Sequence, residues 1–111
     1  MTDAITAFAQ YRVKAGRERE FLDILAAHQR TLRDLELVTD RPVEVYVGEE
    51  KGSGLPLVIE VFDWINPQAS AAAHTHPQVS TLWESMGPLC EDRGEGRPAF
   101  YFPNGRRVEL S

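Results

Sequence analysis

The sequence predicts an α+β fold of element order β-α-β-β-α-β, a four-stranded antiparallel sheet carrying its helices on one face. Three observations predict it. Segments of apolar–polar alternation recur along the chain, two regions switch to apolar spacings of three and four, and glycine- or proline-bearing breaks separate them in that order.

The first strand covers Ala4 to Val13. Ile5, Ala7, Ala9, Tyr11 and Val13 fall on one face, and Thr6, Phe8, Gln10 and Arg12 on the other. Lys14-Ala15-Gly16 breaks it. From Arg17 onward Phe21, Leu22, Ile24, Leu25, His28, Leu32 and Leu35 recur at helical spacing, with Asp23, Arg30, Arg33 and Asp34 on the outer arc. This is a long amphipathic helix. The second strand runs from about Pro42 to Gly48, with Val43, Val45 and Val47 on one face and Glu44 and Tyr46 on the other.

After a glycine-rich turn, the third strand, Leu55 to Trp64, is apolar on both faces, as a strand covered on both sides requires. Asn66 as N-cap and Pro67 at the first helical position open a short helix through the alanines to about His74. Pro77 restarts a helix through Val79, Leu82, Trp83 and Met86, and Gly87-Pro88 ends it. The stretch Glu91 to Arg97 reads as a polar loop. Ala99 to Phe102 reads as a short final strand, followed by a tail over 103–111. The whole is a ferredoxin-like arrangement, with its second helix split in two.

At 111 residues, 42% hydrophobic and 26% charged, the chain is expected to form one ordered domain over 1–111. A formal net charge of −5 counts against a nucleic-acid partner, which needs cations to neutralise phosphates. The single cysteine, Cys90, excludes an intrachain disulfide and a cysteine-based zinc motif. With no apolar run of membrane-spanning length and no signal-peptide pattern, no membrane partner is expected and a cytoplasmic location is the default. Gly-x-Ser-x-Gly, Gly-x-Gly-x-x-Gly and Walker sequences are missing, so a bound nucleotide is disfavoured and no cofactor is expected.

Helices cover one face of such a sheet, yet the third strand offers Leu57, Ile59 and Val61 on one side and Val58 and Phe62 on the other. A second copy of the sheet is the simplest cover, so a homodimer through the open face is expected.

Among residues able to carry chemistry, His74 and His76 are the most suggestive, because neutral imidazole serves as a base or a metal ligand. Two residues apart on a continuous helix they diverge, and no carboxylate or cysteine stands at ligand spacing, so no metal site is expected. The alternative for His74 is packing in the helix junction. Trp83 and Trp64 suit the wall of an aromatic pocket or the core. Glu44 and Glu60 stand inside strands, where a buried carboxylate is a candidate base; ion pairs with Arg12 or Arg41 are the alternative. Phe62 is a candidate pocket wall, and Tyr11, Tyr46 and Gln10 are candidate polar pocket groups. His28 reads as a core-edge histidine.

Several local features together resemble a known family. The first strand ends at Lys14-Ala15-Gly16 ahead of the helix, and the third in Val61-Phe62-Asp63-Trp64. Asn66-Pro67-Gln68-Ala69, Ala73-His74-Thr75-His76-Pro77-Gln78-Val79 and Leu82-Trp83-Glu84-Ser85-Met86-Gly87-Pro88-Leu89 follow. Over about residues 4 to 102 the chain resembles the antibiotic-biosynthesis-monooxygenase-like group of the dimeric α/β-barrel superfamily.

That resemblance implies a dimeric barrel, and a cofactor-independent monooxygenase acting on a small aromatic or quinol-type substrate. It implies His74 as base or orienting group near the mouth of a cavity between helices and sheet, Trp83 and Phe62 as walls, and Glu60 as an alternative base. The heme-degrading branch calls for an asparagine where this strand has Ala9-Gln10, and for a histidine after the tryptophan, whereas here the histidines precede Trp83. The other expectations are a non-catalytic binder of a small apolar ligand and a proton-transfer enzyme that uses no oxygen.

Overall fold

A computed structural model describes residues 4–110. The chain order is β1 (Ile5–Arg12), α1 (Glu18–Asp34), β2 (Glu44–Glu49), β3 (Pro56–Trp64), α2 (Ala69–Thr75) and α3 (Pro77–Met86). A 3-10 turn (Gly87–Leu89) follows, then short strands β4 (Asp92–Gly94), β5 (Arg97–Pro98), β6 (Phe100–Tyr101) and β7 (Asn104–Gly105). The main sheet runs β2-β3-β1-β6, antiparallel throughout, and β7 pairs further along β1. This is the α+β, ferredoxin-like order that the alternation and helical spacing predict.

Period two sorts β1 cleanly. Ala7, Ala9, Tyr11 and Val13 are buried toward the helices, whereas Phe8 on the other face is 38% exposed. Register carries the same division across to β3: Ala9 lies opposite Glu60 and Ala7 opposite Phe62. Val58, Glu60, Phe62 and Trp64 therefore share the helix-facing side. Against them pack Phe21, Leu25, His28 and Leu32 of α1 and Val79 and Met86 of α3. Each large apolar side chain taken fully from water here contributes about 2 kcal/mol.

Four local expectations shift. Asn66 does not cap α2. Its carboxamide accepts from the Gln68 N–H in a turn that precedes the helix, which starts at Ala69. The polar stretch 91–97 is not a plain loop but holds the β4–β5 hairpin, its tight turn made by Glu95 and Gly96 at positive φ. The final strand breaks at Pro103 and resumes as β7, so 104–105 belong to the sheet rather than to a tail; Pro103 O meanwhile accepts from the Phe8 N–H at 2.8 Å. Finally β2, an edge strand, is exposed on both faces along its whole length, with Val47 at 54%.

Candidate active site

Consecutive residues on the inner arc of α1, His28 and Gln29, lie over the middle of the sheet where β3 presents Glu60. The Glu60 side chain is fully buried and His28 is 1% exposed. Ala9, opposite Glu60, has a side chain small enough for Tyr11, two residues on along the same face, to reach over it. Tyr11 Oη–H donates to Glu60 Oε1 at 2.7 Å, and Gln29 Nε2–H donates to Oε2. His28 Nδ1 stands 3.7 Å from Oε2 and is a buried nitrogen with no hydrogen-bond partner among the described residues. On the other edge of its ring, His28 Nε2 accepts from the indole N–H of Trp83 at 3.1 Å.

The chain Tyr11–Glu60–Gln29 and His28–Trp83 thus spans two strands and two helices. Burying such groups is costly unless they satisfy one another. Burial, then the neighbouring Glu60 carboxylate, hold the Tyr11 phenol well above the ordinary tyrosine value, so Tyr11 stays a proton donor to Glu60.

Trp83 is the centre of an aromatic cluster. Its ring lies 4.5 Å from that of His74, 5.9 Å from His28 and 6.3 Å from Phe102. These rings, with Tyr11 and Phe62, close a cavity of about 30 Å³. That is room for roughly one water. The space expected to be an open pocket between sheet and helices is therefore filled by the protein's own aromatic side chains. The larger concavity is on the far side of Trp83, a groove of about 590 Å³ between α3, the 3-10 turn and the β4–β5 hairpin, reached by Lys14, Pro88, Arg97 and Phe100.

Six of the sequence-predicted residues meet here or adjoin: Glu60, Trp83, Phe62, Trp64, His74 and Tyr11. His74 is exposed at the α2 end of the cavity, its ring against Trp83. Phe62 is buried edge-to-face on Trp64 at 4.9 Å. The other four, His76, Tyr46, Gln10 and Glu44, are elsewhere. His76 is the joint between α2 and α3, where its Nδ1 accepts from the Gln78 N–H as an N-cap. Tyr46 and Gln10 both pair with Ile59 in register and so point from the open sheet face, away from the helices. Tyr46, 54% exposed, donates to Glu44. Glu44 itself pairs with Arg41, as the ion-pair alternative expected, whereas Arg12 pairs with Glu50.

Gln29 was not legible as a site residue. It sits between a histidine and an arginine with no pattern of its own. His28 carried a signal, an ionisable residue on the apolar arc, which core packing explained equally well. Cys90 is buried, its thiol pushed up to about 12 by burial. Among the described residues no three of histidine, cysteine, aspartate and glutamate converge as a metal-ligand set, and no helix is long and apolar enough to cross a membrane.

No protein-family model and no curated protein sequence matches the chain. Solved structures do match it. SnoaB from Streptomyces nogalater, a cofactor-independent oxygenase solved as a point mutant, superposes with a TM-score of 0.67 at 11% identity, over 96% of its own chain and 97% of this one. A Bordetella bronchiseptica protein, provisionally designated an antibiotic biosynthesis monooxygenase, gives 0.69 at 14% identity, over 99% of its chain and 96% of this one. The chain has the fold of the antibiotic biosynthesis monooxygenases. A dimeric ferredoxin-like protein of unknown function from Jannaschia sp. CCS1 shares it, with a TM-score of 0.68 at 11% identity over 99% of its chain and 94% of this one. Within the monooxygenase fold these identities speak for architecture alone, and chemistry has to come from the side chains.

Proposed function

We propose that the chain is a small-molecule enzyme, a cofactor-independent monooxygenase acting on a small aromatic or quinol-type substrate between sheet and helices. The observation that carries this reading is the fully buried Glu60, with Tyr11 and Gln29 on its two oxygens, beside a cavity walled by aromatic rings. A polar cluster of this kind adds nothing that an apolar core would not supply more simply, whereas it suits orienting a polar end of a flat ligand. SnoaB, of the same fold, is a cofactor-independent oxygenase.

In such chemistry the substrate supplies the electrons to oxygen, one oxygen atom entering the substrate and the other leaving as water. The protein contributes a dry site and a group to accept a proton from the substrate. Trp83 and Phe62 are walls, His74 orients the substrate at the mouth, and Glu60, its oxygens held by Tyr11 and Gln29, stands behind the wall at the polar end. His76, Tyr46 and Gln10 take no part. The ligand enters by moving the Trp83 indole toward the open groove behind it.

The test is oxygen uptake over a panel of quinols and hydroxylated polycyclic aromatics. Turnover that falls at least tenfold in Glu60→Gln and in His74→Ala supports the reading. Tight binding with no oxygen consumed by any of them sinks it.

We also propose a homodimer through the open face, where Phe8, Leu57, Ile59 and Tyr46 form a partly exposed apolar surface. The Jannaschia protein of the same fold is dimeric.

A further inference from the structure

We propose that Nε2 of His28 is the proton-accepting atom of this site, and that the Trp83 indole N–H occupies the position of a phenolic O–H on the ligand. This rests on the reading that the cavity takes an aromatic molecule, and goes beyond it by naming the acceptor and the ligand's polar group.

The tautomer follows from the partners. An indole N–H is a donor only, so the atom that accepts it, His28 Nε2, carries a lone pair. The neutral ring then has its proton on Nδ1. That atom has no hydrogen-bond partner among the described residues, and Glu60 Oε2 faces it at 3.7 Å, just beyond hydrogen-bond distance. Glu60 is not free to drift, because Tyr11 and Gln29 hold its two oxygens. The order is carboxylate, then Nδ1–H, then a bare Nε2 aimed at the aromatic cluster. It is the arrangement of an orienting carboxylate behind a histidine base.

The occupant of the acceptor position is the protein's own ring. Trp83 presents a flat aromatic system with one N–H, sandwiched near His74 and Phe102, and it also borders the open groove. Swinging it outward vacates a slot of aromatic shape with one acceptor at its inner end. A planar ligand with a hydroxyl fits that slot. Its O–H bond then breaks, the proton goes to Nε2, the electron pair stays on the oxygen, and the imidazolium is held by Glu60 through Nδ1–H. The titratable groups around His28 are Glu60 on β3, Tyr11 on β1 and, across Trp83, His74 on α2. α3 contributes the neutral indole. Tyr11 has no role as acceptor, because it already donates to Glu60.

The experiment uses 4-nitrophenol, whose anion absorbs in the visible, at a pH well below its own ionisation midpoint. Trp83→Phe removes the competing N–H. We expect it to bind 4-nitrophenol roughly tenfold tighter than the wild type, with the anion band appearing on binding, whereas 4-nitroanisole, lacking the hydroxyl, gains less. Adding His28→Gln to Trp83→Phe should abolish the anion band while leaving 4-nitroanisole binding in place. An anion band that survives His28→Gln, or that disappears in His74→Gln instead, overturns the assignment while the aromatic site stands. No binding of either probe to wild type or Trp83→Phe sinks the aromatic reading as well. Nitrogen NMR of the unmodified protein gives a check that needs no variant: His28 protonated at Nε2 and bare at Nδ1 overturns the proposal directly.

Discussion

The indole N–H of Trp83 on α3 donates to Nε2 of His28 on α1, so that two helices are tied by one hydrogen bond at 3.1 Å between residues 55 apart in sequence. Trp83→Phe leaves that buried acceptor unpaired while keeping an aromatic ring in place. The expected cost is about 1–2 kcal/mol of stability. Urea unfolding of the ligand-free protein measures it, and an unchanged midpoint would show that the bond is made equally well with water.

Glu60 is the hub of the buried cluster, and its loss should be felt at both donors. Glu60→Ala leaves Tyr11 and Gln29 unsatisfied in the core and is expected to cost about 3 kcal/mol or more, with Tyr11→Phe nearer 1–2 kcal/mol. The double variant should cost less than the sum, because the Tyr11 hydroxyl has no partner once Glu60 is gone. Strict additivity would mean that the two do not interact in solution.

Tyr11 also sets the alkaline limit. Its folded value is raised above the ordinary 10.0, so the native state holds this proton more tightly than the unfolded chain does. The corresponding stability is fully present below about pH 10 and falls as the pH rises from there toward the folded value. Denaturation midpoints followed upward through that range should drop more steeply in the wild type than in Tyr11→Phe. Equal slopes would contradict the burial of the phenol.

Cys90, buried and with a thiol near 12, should resist modification. At pH 8 the thiolate fraction is on the order of 10⁻⁴. Reaction with an aromatic disulfide reagent is expected to be slow in the native protein and fast once urea unfolds it. Stoichiometric labelling within seconds under native conditions would place Cys90 at the surface instead.

The open sheet face gives a prediction about assembly. Phe8→Glu and Ile59→Lys put charge on that surface and should convert a dimer to a monomer in sedimentation velocity, leaving the far-ultraviolet spectrum unchanged. A wild type that sediments as a monomer at tens of micromolar would remove the dimer altogether.

Much of this architecture was legible in two periods. Alternation sorted Tyr11 and Ala9 from Phe8 and Gln10, and helical spacing put His28 on the arc of α1 that meets them. The same alternation already separated Gln10 from Tyr11, so its place on the far face was readable. Tyr46 was not, because an edge strand with valines on one face and mixed residues on the other does not say which face the helices take. The helix break at His76-Pro77 was visible because proline cannot continue a helix, while the start of α2 moved by two residues because an Asx turn and an N-cap use the same residue types.

The order of elements and the faces they bury were thus legible in the chain, since both follow from local sterics and from solvent exclusion along a repeat. The meeting of Tyr11, Gln29, Glu60, His28 and Trp83 arises only in three dimensions. Those residues come from four elements, and their approach depends on strand register and on how α1 and α3 cross the sheet. A hydrogen bond demands tenths of an ångström and a fixed direction, and no period in the chain encodes that. The closing of the cavity by Trp83 is of the same kind, because side-chain packing in three dimensions, rather than hydrophobic pattern, determines whether a pocket between helix and sheet is open or filled.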